Sequence, residues 1–470
     1  MSVAALTDWP WRHWARRCPQ AQAIDAGDVT LSWQQLEQEI VQHVQGFRQQ
    51  GVQPGNLVIL RSANSLQAVV SWLSLLACGA RVLALNPQLP DSQLEMLLPN
   101  LRADFSVGSA GAGCLNPPAL RNLRRAGHFI HPWQPEALAT LTLTSGSCGL
   151  PKAAAHTIAA HLHSAAAVIA LMEFSARDRW LLSLPLFHVS GLGILWRWLV
   201  SGATLTLADS AGFSAALARS SFASLVPTQL WRLLRQPERP AMLCSVLLGG
   251  AAIASELVQR AEAAGIRCFC GYGMTESAST VSAKRADDRP GVGKPLGGQE
   301  VRIVNGEIWL RSPTLALGYW QQGQLRPLTD ADGWLHSGDL GAWRLDELCV
   351  LGRRDNLFFC GAEAVQPEVI ERLLLRHPQV TQAVVVALED DEYGSRPVAL
   401  VNDGVAMAPL AAWALPQLAA WQRPVKWYTL PALGCGGIKP SRRQLMQWVV
   451  AQQQEIDVVF PQRASYSVMT

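Results

Sequence analysis

Short apolar runs alternate with longer stretches of helical spacing through the first 300 residues. Residues 56–60, 80–85, 139–144, 179–187, 203–208 and 242–250 are β-rich and read as strands. Between them, residues 65–79, 156–172 and 254–265 carry apolar positions at helical intervals. Strand, helix, strand in that order predicts parallel α/β sheets. Near residue 300 the pattern changes to alternating strands around Asn305-Gly306, a hairpin turn. After Asp355 come a helix (366–380), two strands (381–401) and a further helical segment, a small α+β lobe. The expected organisation is an α/β protein. A large N-terminal domain of packed sheets spans 1–353 and is β-rich from about 300. A small C-terminal lobe spans 354–455, and a tail without clear periodicity spans 456–470.

Composition narrows the setting. The chain has 470 residues, 49% hydrophobic and 16% charged, with a formal net charge of +3. Nothing in that balance calls for nucleic acid or an anionic membrane as partner. The ten cysteines form no C-x-x-C pair, and Cys268 and Cys270 have no metal-ligand partners nearby in sequence. Free thiols in a reducing cytoplasm are the expectation. The first twenty residues lack the apolar core of a signal peptide. The most apolar run, residues 68–85, is broken by Gly79 and Arg81, so no membrane span is expected.

One stretch raises a chemical question. Residues 141–154 read LTLTSGSCGLPKAA: an apolar run stops and a small, Gly-broken, hydroxyl-rich loop ends in Lys. A turn of this kind exposes backbone N–H groups to phosphate oxygens, hydroxyls add donors, and Lys adds charge. Thr144, Ser145, Gly146, Ser147, Gly149 and Lys152 are therefore candidates for a phosphate cradle. The loop is not a Walker A motif, because Gly149 is followed by Leu-Pro-Lys-Ala.

The loop does not stand alone. TSGSCGLPK resembles the signature of the adenylate-forming (acyl-CoA synthetase) superfamily, with Cys148 where the family usually has Thr. The family's other motifs follow in order. LFH (Leu186–His188) resembles the aromatic-His step beside the acyl pocket. LLGGAA, with Gly249, Gly250 and Ala251, resembles the strand end lying against adenine. YGMTE resembles the segment whose Tyr272 stacks on adenine, with Gly273 and Met274 following, whose Thr275 reaches the α-phosphate and whose Glu276 holds Mg²⁺. HSGD resembles the family's T-G-D, with Ser337 for Thr and Asp339 on the ribose hydroxyls. GRRDN resembles the hinge, Arg353 contacting nucleotide and Asp355 pivoting the mobile C-terminal lobe. GGIKPSR resembles the segment of the catalytic Lys, here Lys439, with Pro440 in place of Ile or Val. Gly361 would line a tunnel for the pantetheine arm of CoA.

The resemblance implies an AMP-forming acid–thiol ligase using ATP, Mg²⁺ and coenzyme A. A closer likeness, carried by DWPWRHWARRCPQAQAI, LPLFHVSGLGILWRWL and RRDNLFFCGAEAVQPEVIE, implies an aromatic dicarboxylic acid as the substrate. Its spare carboxylate needs a buried cation or several donors. Arg197 is the candidate, with Ser190, Gly191 and Thr280 lining the same pocket. Two other readings stay open: a CoA ligase for another aryl or fatty acid, and a non-catalytic nucleotide-binding protein. A second copy of the chain, in a homo-oligomer, is a further candidate partner.

Overall fold

The computed structural model describes residues 6–108, 117–144, 151–208, 210, 212–236, 239–250, 253–431 and 441–459, the last seven by backbone alone. Internal contacts divide the chain into two units, Met1–Val350 and Leu351–Thr470.

The first unit is built on two large sheets. The nine-stranded sheet has Arg179–Leu181 near its middle. Thr204–Thr206 pairs with it in parallel on one side; Phe222–Leu225, Ser245–Leu248 and Arg267–Met274 follow in parallel on the other. The eight-stranded sheet has a parallel core of Phe105–Gly108, Leu57–Arg61, Arg81–Leu85 and Leu138–Leu143. Strands in these cores are near-continuous apolar runs because both faces are covered.

The parallel expectation holds for the cores and fails at the edges. Ser279–Arg285 runs antiparallel to Arg267–Met274. Ala153–Thr157 runs antiparallel to Leu138–Leu143 and pairs in turn with Gly318–Gln321. Sequence spacing assigns 156–172 wholly to a helix. The helix instead begins at Ile158, where the Thr157 hydroxyl accepts the Ala160 N–H at 3.0 Å, and Ala153–Thr157 before it is a buried strand. Alanine carries little strand propensity, but small side chains suit a strand enclosed on both sides. Likewise 179–187 is strand only to Leu181; the rest is a loop. The predicted hairpin is present, with Glu300–Val304 and Glu307–Arg311 joined by Asn305 and Gly306, both at positive φ.

The second unit holds a hairpin, Phe358–Cys360 with Glu363–Val365, and a three-stranded sheet of Ala383–Asp390, Gly394–Val401 and Lys426–Thr429. Its core gathers Val365, Ile370, Leu374, Val385, Ala399, Val401 and Leu410. The final helix, Arg442–Val459, runs past 456, where the tail was expected to begin. Arg442 opens it in a partly buried ion network. Its guanidinium donates to Glu371 at 2.6 Å, to Glu368 at 3.1 Å and to the Val385 carbonyl. Burial works against the Glu368 charge, but Arg442 and hydrogen bonds from Asn356 and Gln366 outweigh it, so its pKa is lowered. A carboxylate with a depressed pKa stabilises the fold above its unfolded value and loses that contribution as pH falls through the folded one. The second unit should therefore lose stability as pH drops below about 4.3, the unfolded value for Glu. Arg442→Ala should cost about 2 kcal/mol, because it strands two partly buried carboxylates. Urea titrations at pH 7 and pH 4 check both: the variant's deficit is large at pH 7 and shrinks at pH 4.

Candidate active site

Three site segments leave the carboxyl ends of parallel strands of the nine-stranded sheet. The loop to His188 follows Arg179–Leu181; Gly249 and Gly250 follow Ser245–Leu248; Thr275 and Glu276 follow Arg267–Met274. In open α/β sheets that edge is where ligands bind.

Two phosphate-cradle candidates, Thr144 and Lys152, flank an antiparallel strand pair of the second sheet. Leu143 pairs with Ala153, and the Thr144 N–H donates to the Lys152 carbonyl at 2.7 Å, extending the antiparallel pairing by one bond. Ser145, Gly146, Ser147, Cys148 and Gly149 lie outside the described residues, as do Ala251, Lys439 and Pro440. The Lys152 Nζ lies 4.9 Å from the centre of the Tyr319 ring, and the Tyr319 hydroxyl donates to Glu276 Oε1 at 2.8 Å. Lys152 and Glu276, far apart in sequence and on different sheets, thus converge on one tyrosine. Nothing in the sequence singles out Tyr319.

Thr275–Ser277 form one short turn after a bulge in the strand pair. A side chain at Gly273 would meet the Ser279 carbonyl at 1.7 Å, so only glycine lets the chains approach this closely. Ser277 Oγ donates to the Met274 carbonyl and accepts the Met274 N–H, tightening the turn. Tyr272 is buried among Val281, Ile308, Leu310, Leu335 and Leu348, and its hydroxyl donates to Asp339 Oδ2 at 2.6 Å. The Asp339 N–H donates to Ser337 Oγ, which donates to the Ile308 carbonyl. Ser337 therefore supplies the hydroxyl that the family's Thr would, and it is engaged. Glu307, another residue the sequence did not flag, accepts the Gly338 N–H at 2.8 Å and steadies the same turn.

Arg197 lies in helix Val189–Ser201, where every residue from Gly191 to Val200 is buried. A guanidinium in a helix that is apolar all round is anomalous. It is 1% exposed, and among the described residues its Nε has no partner and Ser279 Oγ, at 3.5 Å, is its hydrogen-bond partner. Among the described residues no carboxylate pairs with it. Trp180 lies under it, 5.1 Å from Cζ. A side chain added at Gly193, one turn back, would come 3.1 Å from its Nη2. Burial pulls its pKa down to about 9. Thr280 is buried, and its Oγ1 is 3.4 Å from Ser279 Oγ, so Thr280 reaches the Arg197 cluster through that serine.

Ser190 and Gly191 lie in the first turn of the same helix, after His188 at its N-cap. A side chain at Gly191 would strike the Pro185 carbonyl at 2.1 Å. Among the described residues His188 Nε2 is buried without a partner, and burial pulls the ring's pKa down, which favours the neutral imidazole. Its loop is pinned by Asn64, which donates to the Leu182 and Leu184 carbonyls and accepts the Leu186 N–H. Asn64, from the other sheet, is a third residue that sequence reasoning missed.

In the second unit Arg353 precedes a short turn, Arg354–Asn356, that holds Asp355, with Arg353 Nη2 3.6 Å from Asp355 Oδ2. Gly361 turns the hairpin at positive φ, its N–H donating to the Tyr393 carbonyl at 2.7 Å.

Among the described residues no group of three His, Cys, Asp or Glu could hold a metal by itself. Glu276 suits a different arrangement. It is a buried carboxylate with one oxygen held by a neutral hydroxyl and no cation paired to it among the described residues. Mg²⁺ commonly takes one such carboxylate together with substrate phosphates.

This geometry defines a nucleotide-dependent α/β enzyme, and the chain belongs to the AMP-binding enzyme family. It matches that family over residues 11–320 and the AMP-binding enzyme C-terminal domain over 369–434. It is 50% identical to the 2-succinylbenzoate–CoA ligase of Salmonella typhimurium over 448 residues, 94% of this chain and 98% of that protein. It is 49% identical to the Escherichia coli enzyme of the same name, over 95% of this chain and all of that one. Among solved structures, an arginine-to-lysine variant of E. coli MenE with bound OSB-AMS matches with a TM-score of 0.89 and 46% identity, covering 95% of this chain and 99% of that one. The o-succinylbenzoate CoA synthetase of Bacillus subtilis in complex with ATP and magnesium ion matches with a TM-score of 0.79 and 26% identity, over 90% of this chain and 96% of that one. Among the described residues no helix is long and apolar enough to cross a membrane.

Proposed function

We propose that this chain is a 2-succinylbenzoate–CoA ligase, an AMP-forming acid–thiol ligase of menaquinone (vitamin K2) biosynthesis acting in the cytoplasm. It joins 2-succinylbenzoate to CoA, consuming ATP and yielding 2-succinylbenzoyl-CoA, AMP and diphosphate. Near-full-length likeness to ligases of that name supports the reading. The structural observation that carries it is Arg197. A buried guanidinium without a carboxylate is what a substrate with a second, unreacting carboxylate requires. A monocarboxylic acid would leave that charge uncompensated.

ATP and a carboxylate repel one another, so the site must neutralise charge and align attack on the α-phosphorus. Glu276 would hold Mg²⁺, which offsets phosphate charge. The Thr144–Lys152 turn and Thr275 donate to phosphate oxygens, and Asp339 accepts from the ribose hydroxyls. Gly249, Gly250 and Ala251 lie against adenine, with Tyr272 on its other side. Arg197 grips the aryl carboxylate, Ser190, Gly191 and Thr280 shape the pocket, and His188 walls the succinyl end. The succinyl carboxylate attacks the α-phosphorus, pyrophosphate leaves, and an acyl-adenylate remains. Lys439 supplies the cation for this half. The C-terminal unit then pivots at Asp355, and CoA, threaded past Gly361, attacks the acyl carbon with its thiol as AMP leaves. Arg353 contacts the nucleotide.

The test is pyrophosphate release with ATP and Mg²⁺, offering 2-succinylbenzoate, benzoate and a medium-chain fatty acid, with and without CoA. Release with 2-succinylbenzoate alone, with its CoA thioester formed, is expected. Release with benzoate or the fatty acid in its place would keep the chemistry and overturn the substrate. Silence with all three would point to a nucleotide-binding protein without activity.

A further inference from the structure

Among the described residues, the Tyr319 side chain touches both the carboxylate assigned to Mg²⁺ and Lys152. It stands on strand Gly318–Gln321, which pairs with Ala153–Thr157 so that Tyr319 lies opposite Ala154. That neighbouring strand begins immediately after Lys152. Its hydroxyl donates to Glu276 Oε1 at 2.8 Å, and its ring faces the Lys152 Nζ at 4.9 Å. The chain just before it grips the same partner by the backbone. The Ala316 N–H donates to the Glu276 carbonyl at 2.8 Å, and the Leu317 N–H donates to the Ala155 carbonyl at 2.8 Å. Segment 316–319 therefore ties a residue at the end of one sheet to the turn of the other.

We propose that Tyr319 is a positioning residue that orients the Glu276 carboxylate for Mg²⁺ and holds Lys152 in register with it. The inference rests on the reading of Glu276 given above. The chemistry favours tyrosine for the task. A phenol stays protonated at neutral pH, so it is a donor only toward a carboxylate and fixes one oxygen without neutralising the group. A lysine or arginine in its place would orient Glu276 equally well but cancel the charge the metal needs. Partners that orient a metal ligand are commonly worth 10- to 100-fold in metal affinity. The ring adds a face on which an ammonium is attracted without being consumed in an ion pair, so Lys152 keeps its charge for phosphate.

The experiment uses the full-length chain and measures ATP binding by calorimetry across a Mg²⁺ titration. In Tyr319→Phe, which keeps the ring and removes the hydroxyl, the Mg²⁺ concentration giving half-maximal ATP affinity should rise about 10-fold or more. The KM for 2-succinylbenzoate and the rate of thioester formation from preformed acyl-adenylate should stay unchanged. Tyr319→Leu should add a weaker affinity for ATP even at saturating Mg²⁺, because Lys152 loses its support. A double-mutant cycle secures the assignment. In a Glu276→Gln background the Tyr319→Phe change should no longer alter the Mg²⁺ dependence. Unchanged Mg²⁺ dependence in Tyr319→Phe, with Glu276→Gln abolishing it, would overturn the role of Tyr319 while keeping that of Glu276. Wild-type binding of ATP that ignores Mg²⁺ would overturn the reading of Glu276 itself. Equal losses in every substrate's KM would make Tyr319 structural.

Discussion

Replacing Arg197 with Met should make the protein more stable and the enzyme nearly inactive. Arg197 is fully buried, its pKa is pulled down to about 9 by burial, and no acid offsets its charge among the described residues. That depression corresponds to an unfavourable contribution of a few kcal/mol, on the order of 1.4 kcal/mol per unit. Met has similar length, no charge and good tolerance for irregular space against Trp180. Tm should therefore rise by several degrees. The same change removes the partner of a buried substrate carboxylate, a loss of about 2–5 kcal/mol. The kcat/KM for 2-succinylbenzoate should fall about 10²- to 10³-fold, with the KM for ATP little changed. The thermal shift that 2-succinylbenzoate gives the wild type should vanish. Sites that bind charge keep strain that a purely structural core would discard. A fall in Tm would mean that Arg197 has a structural partner, and an unchanged kcat/KM would remove it from the substrate pocket.

The parts of this molecule that sequence could reveal are those set by local rules. Strands such as Leu57–Arg61 and Arg81–Leu85 are runs of branched apolar residues, so their period and length announce them. The hairpin at Asn305-Gly306 is dictated by two residues that accept positive φ. Arg197 was visible because the resemblance implies a second carboxylate that needs a cation, and LWRWL follows the LFHVSG segment directly. What stayed hidden depends on contacts across the fold. Ala153–Thr157 is alanine-rich and reads as helix until its two strand neighbours are known. Tyr319, Asn64 and Glu307 look like ordinary residues of strand and loop. Their importance lies in which carboxylate, carbonyl or N–H they meet on a distant segment. Antiparallel edges were missed for the same reason: strand order along the chain does not say which neighbour lies beside the last strand.

Lys439→Ala should separate the two halves of the reaction. Its assignment comes from the GGIKPSR segment, and Arg442, three residues on, ties the end of that segment to Glu368 and Glu371. Negative charge grows on the α-phosphate as the acyl carboxylate attacks, and a fixed cation there stabilises the transition state more than the ground state. Removing one such group costs about 10²–10³-fold in rate. ATP-dependent pyrophosphate release with 2-succinylbenzoate should fall by at least that factor. Thioester formation from CoA and preformed acyl-adenylate should stay within about 3-fold of wild type, inside the factor by which such effects vary with context. Single-turnover measurements of each half, on one preparation with wild-type Tm, make the comparison. Equal loss in both halves would mean that Lys439 holds the nucleotide throughout. Loss of the second half alone would assign it to the CoA-facing step and leave the first half to Lys152, the cation already held beside Tyr319 and Glu276.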